Sequence, residues 1–350
     1  MDEKIIKSLP KKKLKIYRNS FSIYKDIIYL NNSFHHLTPK EFFKKYKILL
    51  FKNKDLKFVF NNIYDQEYYK KILFKKLKNF FNFNEKKIFI FNSKENFEIF
   101  LKYLFGEKIN ISYIDFINFQ TGKRLNHHSQ NNNYNNSSNN IENIKDIYSN
   151  KDIKNIRFLN ISYLFGFLPL NFDYFFSMYK NFNFDGLYID LSSFFGLPYK
   201  GIILYLNKII YDEKLIIPHD IALGIISMIS FYEKHGVNKL VNLASRNYYY
   251  FYYRIEKVCE KALKNKNIFF EIEPIDSQFS TKNKDYFFKF SSLFIPLKFN
   301  DENLLKKLVI KLKENKVYFS NIDNFVIFSP SFYNSLEEIE VIEDVLNDFI

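Results

Sequence analysis

The sequence stretch that decides the fold runs from Val326 to Glu340 and reads VIFSPSFYNSLEEIE. Its first three residues are apolar and favour a buried strand. A polar segment with Tyr333 and Asn334 follows, and two glutamates then stand where a helix would begin, which favours a helix start. The stretch therefore predicts a strand, a polar turn and an acidic helix start in that order.

The composition is that of a globular protein with an unusual choice of residues. Hydrophobic residues make up 47% of the 350 residues and charged residues 26%, which suits a protein with a substantial buried core. There are 43 Phe and 27 Tyr against 8 Gly, 8 Pro and no Trp. Together with abundant Lys, Asn and Ile, these are residues of A/T-rich codons. We interpret the bias as genome drift, which removes catalytic residues as readily as neutral ones.

Charge and cysteine content bear on partners and compartment. The net charge of +14 is compatible with binding to nucleic acid or an anionic membrane. The lysines are scattered along the sequence and no nucleic-acid-binding module is recognisable, so we expect neither partner. The single cysteine, Cys259, excludes an internal disulfide and fits a reducing compartment. It lies in a helix-like stretch and is expected to be a buried structural thiol. Without a signal-peptide pattern or a long apolar run, the chain is expected in the cytoplasm.

Strand-like and helix-like segments alternate through the first 212 residues. Strands are predicted at 27–30, 88–91, 111–119, 157–163, 186–191 and 202–206, with helices at 66–82, 97–105 and 171–181. This alternation predicts a large α/β domain over 1–212 with a mostly parallel sheet. Residues 213–350 are predicted to form a small α+β domain, with helices at 221–235, 239–264 and 302–314 and strands at 269–272, 293–297 and 317–319.

Residues 126–140 are an Asn-rich stretch of low complexity. Such a segment cannot bury apolar surface, so it is predicted to be a disordered surface loop. The adjacent histidines His127 and His128 lie at its edge. They lack further ligands at metal-binding spacing, so we expect no metal site.

Other segments carry motifs in a consistent order. They are YLNNSF at 29–34 with Pro39 behind it, the predicted strand, turn and helix at 88–105, NISYLFGFLP at 160–169, DGLYIDLSSFFG at 185–196 and PHDIA at 218–222. With the closing stretch, they resemble class V aminotransferase-fold enzymes, which use pyridoxal phosphate (PLP). Cysteine desulfurases of the sulfur-mobilisation type are the nearest match, and kynureninase is second. The resemblance implies a PLP fold type I large domain followed by a small C-terminal domain.

The resemblance also implies a cofactor site at the ends of strands. The PLP phosphate would lie at the helix start near Asn92, Ser93 and Asn96, although a plain helix cap explains these residues equally well. The family's aspartate, which binds the pyridine nitrogen, corresponds to Asn160, and Tyr163 stands for the residue that follows it in the motif. An asparagine supplies no negative charge, so it would weaken the ring as an electron sink.

The Schiff-base lysine of the family corresponds to Ser193, and the histidine before it corresponds to Ser192. Only an amine condenses with the cofactor aldehyde. The nearest lysine, Lys200, comes seven residues later and is the candidate catalytic residue if activity survives. In an alternative alignment, Asp190 is the pyridine-binding aspartate, but a stretch before the lysine is then missing. The two alignments stay open at this point.

Two further departures bear on function. Residues 310–335 contain no cysteine to act as the desulfurase nucleophile, and Ile327 stands where the family has an arginine for the substrate carboxylate. One hypothesis is therefore an eroded PLP-dependent cysteine desulfurase that takes sulfur from cysteine for iron–sulfur cluster assembly. The other is a non-catalytic descendant that acts as a dimer partner or assembly scaffold. A basic binding protein unrelated to PLP is a third reading. The resemblance implies a homodimer and a sulfur-acceptor or iron–sulfur assembly partner.

Overall fold

The computed structural model describes residues 11–21, 23, 26–32, 36–44, 47, 56–81, 88–115, 154–162, 184–197, 201–206, 217, 219–264, 270–272 and 294–349. The predictions that fall outside these residues include the disordered loop at 126–140, the helix at 171–181 and the domain boundary at residue 212. The division into two domains therefore stays a prediction.

The described residues form helices and strands close to the predicted ones. The helices are α1 (Lys11–Ser20), α2 (Leu56–Phe81), α3 (Lys94–Phe105), α4 (Leu191–Phe194), α5 (His219–His235), α6 (Val237–Lys264), α7 (Glu302–Glu314) and α8 (Leu336–Asn347). The strands are β1 (Ile28–Tyr29), β2 (Ile88–Phe91), β3 (Ile109–Asp115), β4 (Lys154–Asn160), β5 (Gly186–Asp190), β6 (Ile202–Leu206), β7 (Phe270–Ile272), β8 (Ile295–Phe299), β9 (Val317–Tyr318), β10 (Ser320–Ile322) and β11 (Phe325–Phe328). No described helix is both long and apolar enough to cross a bilayer.

The main sheet has the strand order β2-β6-β5-β4-β3. Strands β3, β4 and β5 pair in parallel, whereas β6 pairs antiparallel with both of its neighbours, β5 and β2. Strand β2 therefore points in the same direction as β3, β4 and β5, and β6 runs against the rest of the sheet. This confirms the predicted α/β fold with a mostly parallel sheet.

Both faces of the main sheet are covered. Along β2, Ile88 and Ile90 join one buried cluster, whereas Phe89 and Phe91 join another that includes Phe97 of α3. Successive side chains of a strand point to opposite faces, so a strand buried on both sides reads as a continuous apolar run. The sequence IFIF of β2 is such a run, and all four residues are buried. The predicted strand at 88–91 therefore has the same first and last residues as β2.

A second sheet, with order β10-β11-β8-β7, is antiparallel throughout. Helices α6 and α8 pack on each other, and α7 packs against α8. The closing stretch of the sequence forms β11, a polar turn and α8, whose first turn carries Glu337 and Glu338. The predicted order of strand, turn and acidic helix start is therefore confirmed.

The beginning of the chain is bound to this second unit by backbone and amide hydrogen bonds. Strand β1 pairs in parallel with β9, and an isolated bridge joins Asn31 to Ser329. The Ser329 N–H donates to the carbonyl of Leu30 at 2.7 Å, and the Asn32 side-chain amide donates to the Ser329 carbonyl at 2.7 Å. The hydroxyl of the fully buried Tyr333 donates to the Asn32 side-chain oxygen. Hydrogen bonds thus join the YLNNSF motif at 29–34 to the SPSFYN motif at 329–334.

The Asn334 side chain makes three hydrogen bonds in this contact. Its amide donates to the carbonyl of Tyr29 and to the Glu338 carboxylate, both at 3.0 Å, and its oxygen accepts from the Ser331 N–H at 2.7 Å. The amide of Asn247 on α6 donates to the carbonyls of Ser331 at 2.7 Å and of Asn334 at 2.9 Å. Each of these residues is less than a tenth exposed, so the bonds replace contacts with water.

The start of α8 completes the contact. Ser335 and Glu338 form a reciprocal capping box, in which each side chain accepts from the other residue's N–H. The second oxygen of Glu338 pairs with the guanidinium of Arg18 on α1, which also donates to the carbonyl of Ile27 at 2.8 Å. We call these contacts of residues 18, 29–32, 247 and 329–338 the clasp.

Candidate functional site

The sheet topology brings most of the predicted site residues to one edge. Strands β2, β4 and β5 point the same way, so their carboxyl ends meet there, and β6 starts at the same edge. Asn92, Ser93 and Asn96 follow β2, Asn160 ends β4, and the segment 190–193 follows from β5. In α/β sheets, ligands bind outside the carboxyl ends of the strands. We call residues 92–96, 160–162, 190–193 and 201 the carboxyl edge. Lys200 and Tyr163 lie outside the described residues.

The strand register sets the spacing along the carboxyl edge. Phe91 pairs with Ile202, and Ile202 pairs with Asp190, so β6 lies between the ends of β2 and β5. At about 4.8 Å per strand, these ends are about 10 Å apart. Asn160 pairs with Tyr188, one strand further along. The edge is therefore compact enough for one small molecule to reach both the start of α3 and the end of β5.

At the β2 end of the carboxyl edge, the polar side chains bind one another. The Ser93 hydroxyl accepts from the Asn96 N–H at 3.2 Å and caps α3. The Asn96 amide donates to the Asn92 side-chain oxygen at 2.5 Å. The first turn also carries Lys94 and Glu95, which are both exposed and of opposite charge. The plain-cap reading of Ser93 is confirmed, and a phosphate contact stays a prediction.

In the middle of the carboxyl edge, a buried serine joins the two strands. The oxygen of Asn160 accepts from the N–H of Ser162 at 3.0 Å and from its hydroxyl. The Ser162 hydroxyl oxygen accepts in turn from the N–H of Asp190 at 2.7 Å. Sequence reasoning missed Ser162. The Asn-x-Ser spacing was the available signal, because an Asn side chain readily bonds the backbone two residues on.

Asp190 caps the single turn of α4. Its carboxylate accepts from the Ser193 N–H at 2.9 Å and from the Ser192 hydroxyl. Capping satisfies a backbone donor that the helix leaves unpaired, and aspartate is among the best residues for it. Asn160 and Asp190, the candidates of the two alignments for the pyridine-binding residue, therefore lie at the same edge. The side chain of each accepts a hydrogen bond from a serine hydroxyl.

The segment after α4 is pressed against the beginning of the chain. Gly196 has a φ of +65°, and a Cβ there would clash with the backbone carbonyl of His36. The Thr38 hydroxyl donates to the Gly196 carbonyl. His36 is buried, its Nε2 lies 3.0 Å from the Tyr232 hydroxyl, and burial lowers the pKa of its imidazole from 6.5 to about 3. The histidine is therefore neutral. This contact could not be predicted from the sequence, because the recognised motif stops at residue 34.

At the position predicted for the Schiff-base lysine, the described side chain does not fit a covalently held PLP. That position is Ser193, whose N–H is bonded to Asp190. Lys94, at the start of α3, is the lysine among the described residues of the edge; it is exposed, and its ammonium lies 3.8 Å from the Glu98 carboxylate. Only an amine forms the Schiff base. The arginine position, Ile327, is buried in β11 and packs with Phe294 and Phe325. Cys259 is buried within α6. Lys200 stays a prediction.

Comparison with known proteins identifies the fold. No family model matches the chain, and no curated protein matches its sequence. Solved structures do match it. The cysteine desulfurase of Thermococcus onnurineus NA1 is 15% identical with a TM-score of 0.55, over 96% of this chain and 98% of its own. CsdA of Escherichia coli, also a cysteine desulfurase, is 10% identical with a TM-score of 0.54, over 96% and 98%.

A third match carries the cofactor. A lysine-to-alanine mutant of C-DES, with glycine covalently linked to its PLP cofactor, is 12% identical with a TM-score of 0.54, over 95% of this chain and 99% of its own. At these identities the similarity shows the fold alone. The chain has the PLP fold type I of the cysteine desulfurases over most of its length.

Proposed function

We propose that this chain is a non-catalytic descendant of the cysteine desulfurases that acts by association, as a dimer partner or as a scaffold in sulfur transfer and iron–sulfur assembly. The fold similarity over nearly the whole chain supports the ancestry. The observation that carries the loss of catalysis is the capped turn of α4. There Ser193 stands at the lysine position and its N–H is bonded to the Asp190 carboxylate.

The chemistry of that turn supports the proposal. A serine hydroxyl cannot form an imine with an aldehyde, so Ser193 would hold PLP by hydrogen bonds and not by a covalent bond. The other polar groups there are the side chain of Asn160 and the start of α3, where Lys94 and Glu95 carry opposite charges. A cofactor bound in this way exchanges freely with solution.

A second candidate is a PLP-dependent transferase of the desulfurase type that uses Lys200. One observation favours it. The Gly201 carbonyl accepts from the Leu191 N–H at 2.9 Å, so Gly201 lies beside the α4 turn. Lys200 directly precedes Gly201 in the sequence, and Gly201 belongs to the carboxyl edge.

A PLP titration followed by absorption spectroscopy and desalting tests the two candidates. The proposal expects no imine absorption band and a cofactor that washes off completely. A band that survives desalting and disappears in Lys200→Ala, but not in Lys102→Ala on the exposed face of α3, would establish the second candidate instead. In Ser193→Lys, a new band would show that the edge still accepts the ring and lacks only the amine.

Association is tested separately by light scattering on the purified chain. The proposal expects the mass of a homodimer, or of a complex when a sulfur-acceptor or iron–sulfur assembly protein is added. A chain that stays monomeric and binds no such protein contradicts this part of the proposal.

A further inference from the structure

We propose that a cleft beside α7 is a docking site for an acidic amphipathic helix of a partner protein. The cleft has a volume of about 840 Å³, and the residues on which the argument rests are Val309, Lys313, Lys316, Val317, Tyr318 and Phe319. None of them belongs to the carboxyl edge. The inference rests on the proposed role in association and names the surface through which it would work.

The wall of the cleft is apolar and includes an exposed aromatic ring. Val317 is buried, and Val309 and Phe319 are half-buried. Tyr318 is 54% exposed, although its ring is stacked on the buried Tyr29 with 6.1 Å between centroids. A stacked ring loses little conformational entropy on binding, and Tyr is enriched among the residues that dominate interface energies. Tyr318 is therefore a preformed anchor for an apolar side chain.

The rim of the cleft is positively charged. Helix α7 carries four lysines, at 306, 307, 311 and 313, against two glutamates, at 302 and 314. Lys313 lines the cleft and is exposed. Lys316, at a left-handed φ of 54°, is paired with Asp26, which also lines the cleft and offsets its charge. The excess of lysines on α7, with Lys313 at the cleft, therefore supplies the positive charge that favours an acidic partner and speeds its association.

The spacing of side chains on α7 fits a helical partner. Lys306, Ile310 and Lys313 follow one another at four and three residues and share one face of the helix. Ile310 is 57% exposed and adds apolar surface between the two charges. An amphipathic helix with glutamates on either side of an apolar stripe presents the complementary pattern, and helix-in-groove recognition uses such anchors.

The test uses the full chain and two fluorescent peptides of identical composition. In one peptide, Leu, Phe and Glu repeat at helical spacing, and in the other their order is scrambled. Fluorescence anisotropy should show roughly tenfold tighter binding of the first peptide, and Lys313→Glu and Tyr318→Ser should each weaken it about tenfold. The matched variants Lys102→Glu and Tyr103→Ser, at exposed positions on α3, should leave the affinity unchanged.

Three results would overturn the inference. The first is equal binding of the two peptides, and the second is equal weakening of binding by the α3 variants. The third is that Lys313→Glu and Tyr318→Ser reduce the binding of a short DNA duplex more than they reduce the binding of the peptide. The last would make the occupant a nucleic acid. Lys313 is exposed, so its substitution does not threaten folding, and thermal melting checks Tyr318→Ser. The peptide result is independent of the PLP spectrum. If the peptide does not bind and no imine band appears, the proposed docking site is wrong and the proposed non-catalytic role is unaffected.

Discussion

The clasp and the carboxyl edge both carry motifs that resemble the family, but they use their polar side chains differently. In the clasp, Asn334 is 2% exposed, and its side chain bonds Ser331 and Glu338 nearby in the sequence and Tyr29, which is 305 residues away. At the β2 end of the carboxyl edge, Asn92 and Asn96 are exposed, and among the described residues they bond only the same helix start. The buried hydrogen bonds of the clasp stabilise the fold. At the β2 end of the edge, the polar side chains bond close neighbours and are in contact with water.

This difference has a physical consequence for sequence drift. Removing one partner of a buried hydrogen bond leaves the other without a replacement from water and destabilises the fold. Removing an exposed side chain leaves groups that water can satisfy. The β2 end of the carboxyl edge can therefore lose side chains while the fold persists, but the clasp cannot. That contrast fits a closing motif that is still recognisable in the sequence.

The largest expected effect is that of Asn334→Ala. The substitution removes a side chain that serves Tyr29, Ser331 and Glu338, so the free energy of unfolding should fall by about 3–5 kcal/mol. Urea denaturation measures the change. The control is Asn96→Ala at the carboxyl edge, where the loss should stay below about 0.5 kcal/mol. Similar losses in the two variants would remove the distinction between the regions.

The ion pair of the clasp should give the next largest effect. Glu338→Gln removes the negative charge beside Arg18 at a site where the two side chains are 11% and 14% exposed. We expect a loss of about 2–3 kcal/mol in the free energy of unfolding, again by urea denaturation. The control is Glu302→Gln, whose partner Lys306 is exposed, and it should cause no measurable change. A neutral result for Glu338→Gln would show that the pair is dispensable.

His36 should make the stability depend on pH, at the point where the beginning of the chain meets the segment after α4. Burial lowers its folded pKa to about 3, below the 6.5 of an ordinary histidine. The unfolded chain therefore binds the proton first, and stability is lost as the pH falls below 6.5. Between pH 7 and pH 5 the loss should be about 2 kcal/mol. Urea midpoints of His36→Phe should vary less with pH than those of the wild type, and identical slopes would contradict this assignment.

Apart from the control variants, the smallest expected effect is that of the α3 cap at the carboxyl edge. Ser93→Ala removes the cap of α3 and should lower the free energy of unfolding by about 1 kcal/mol, without changing the association state. Thermal melting and light scattering measure the two quantities. A loss as large as that of Asn334→Ala would show that the edge also holds the fold.

The parts of this fold that could be predicted from sequence are those in which neighbouring residues decide the outcome. The apolar run of β2, the periodic pattern of α7 and the acidic start of α8 each indicate their element locally. The reversed direction of β6 and the pairing of β1 with β9 depend on contacts between distant residues, which no local pattern reveals.

The candidate site was predictable to the same extent. Asn160 and Asp190 could be proposed from motif spacing, and the topology brings both to one edge. The motif spacing could not predict their hydrogen-bond partners. The Asn160 side-chain oxygen accepts from the Ser162 hydroxyl, and the Asp190 carboxylate accepts from the Ser192 hydroxyl. Hydrogen-bond use depends on side-chain conformation, so it could be read only from the folded chain.

The proposed function requires that no lysine at the carboxyl edge forms an imine with PLP. Borohydride reduction of the purified chain in the presence of PLP, followed by peptide mass mapping, gives the sharpest test, because reduction makes any imine permanent. We expect no selective modification, with Lys94 and Lys200 labelled no more than exposed lysines such as Lys102 and Lys313. Selective labelling of Lys94 or Lys200, at PLP concentrations that leave the other lysines unmodified, would show that the proposed function is wrong.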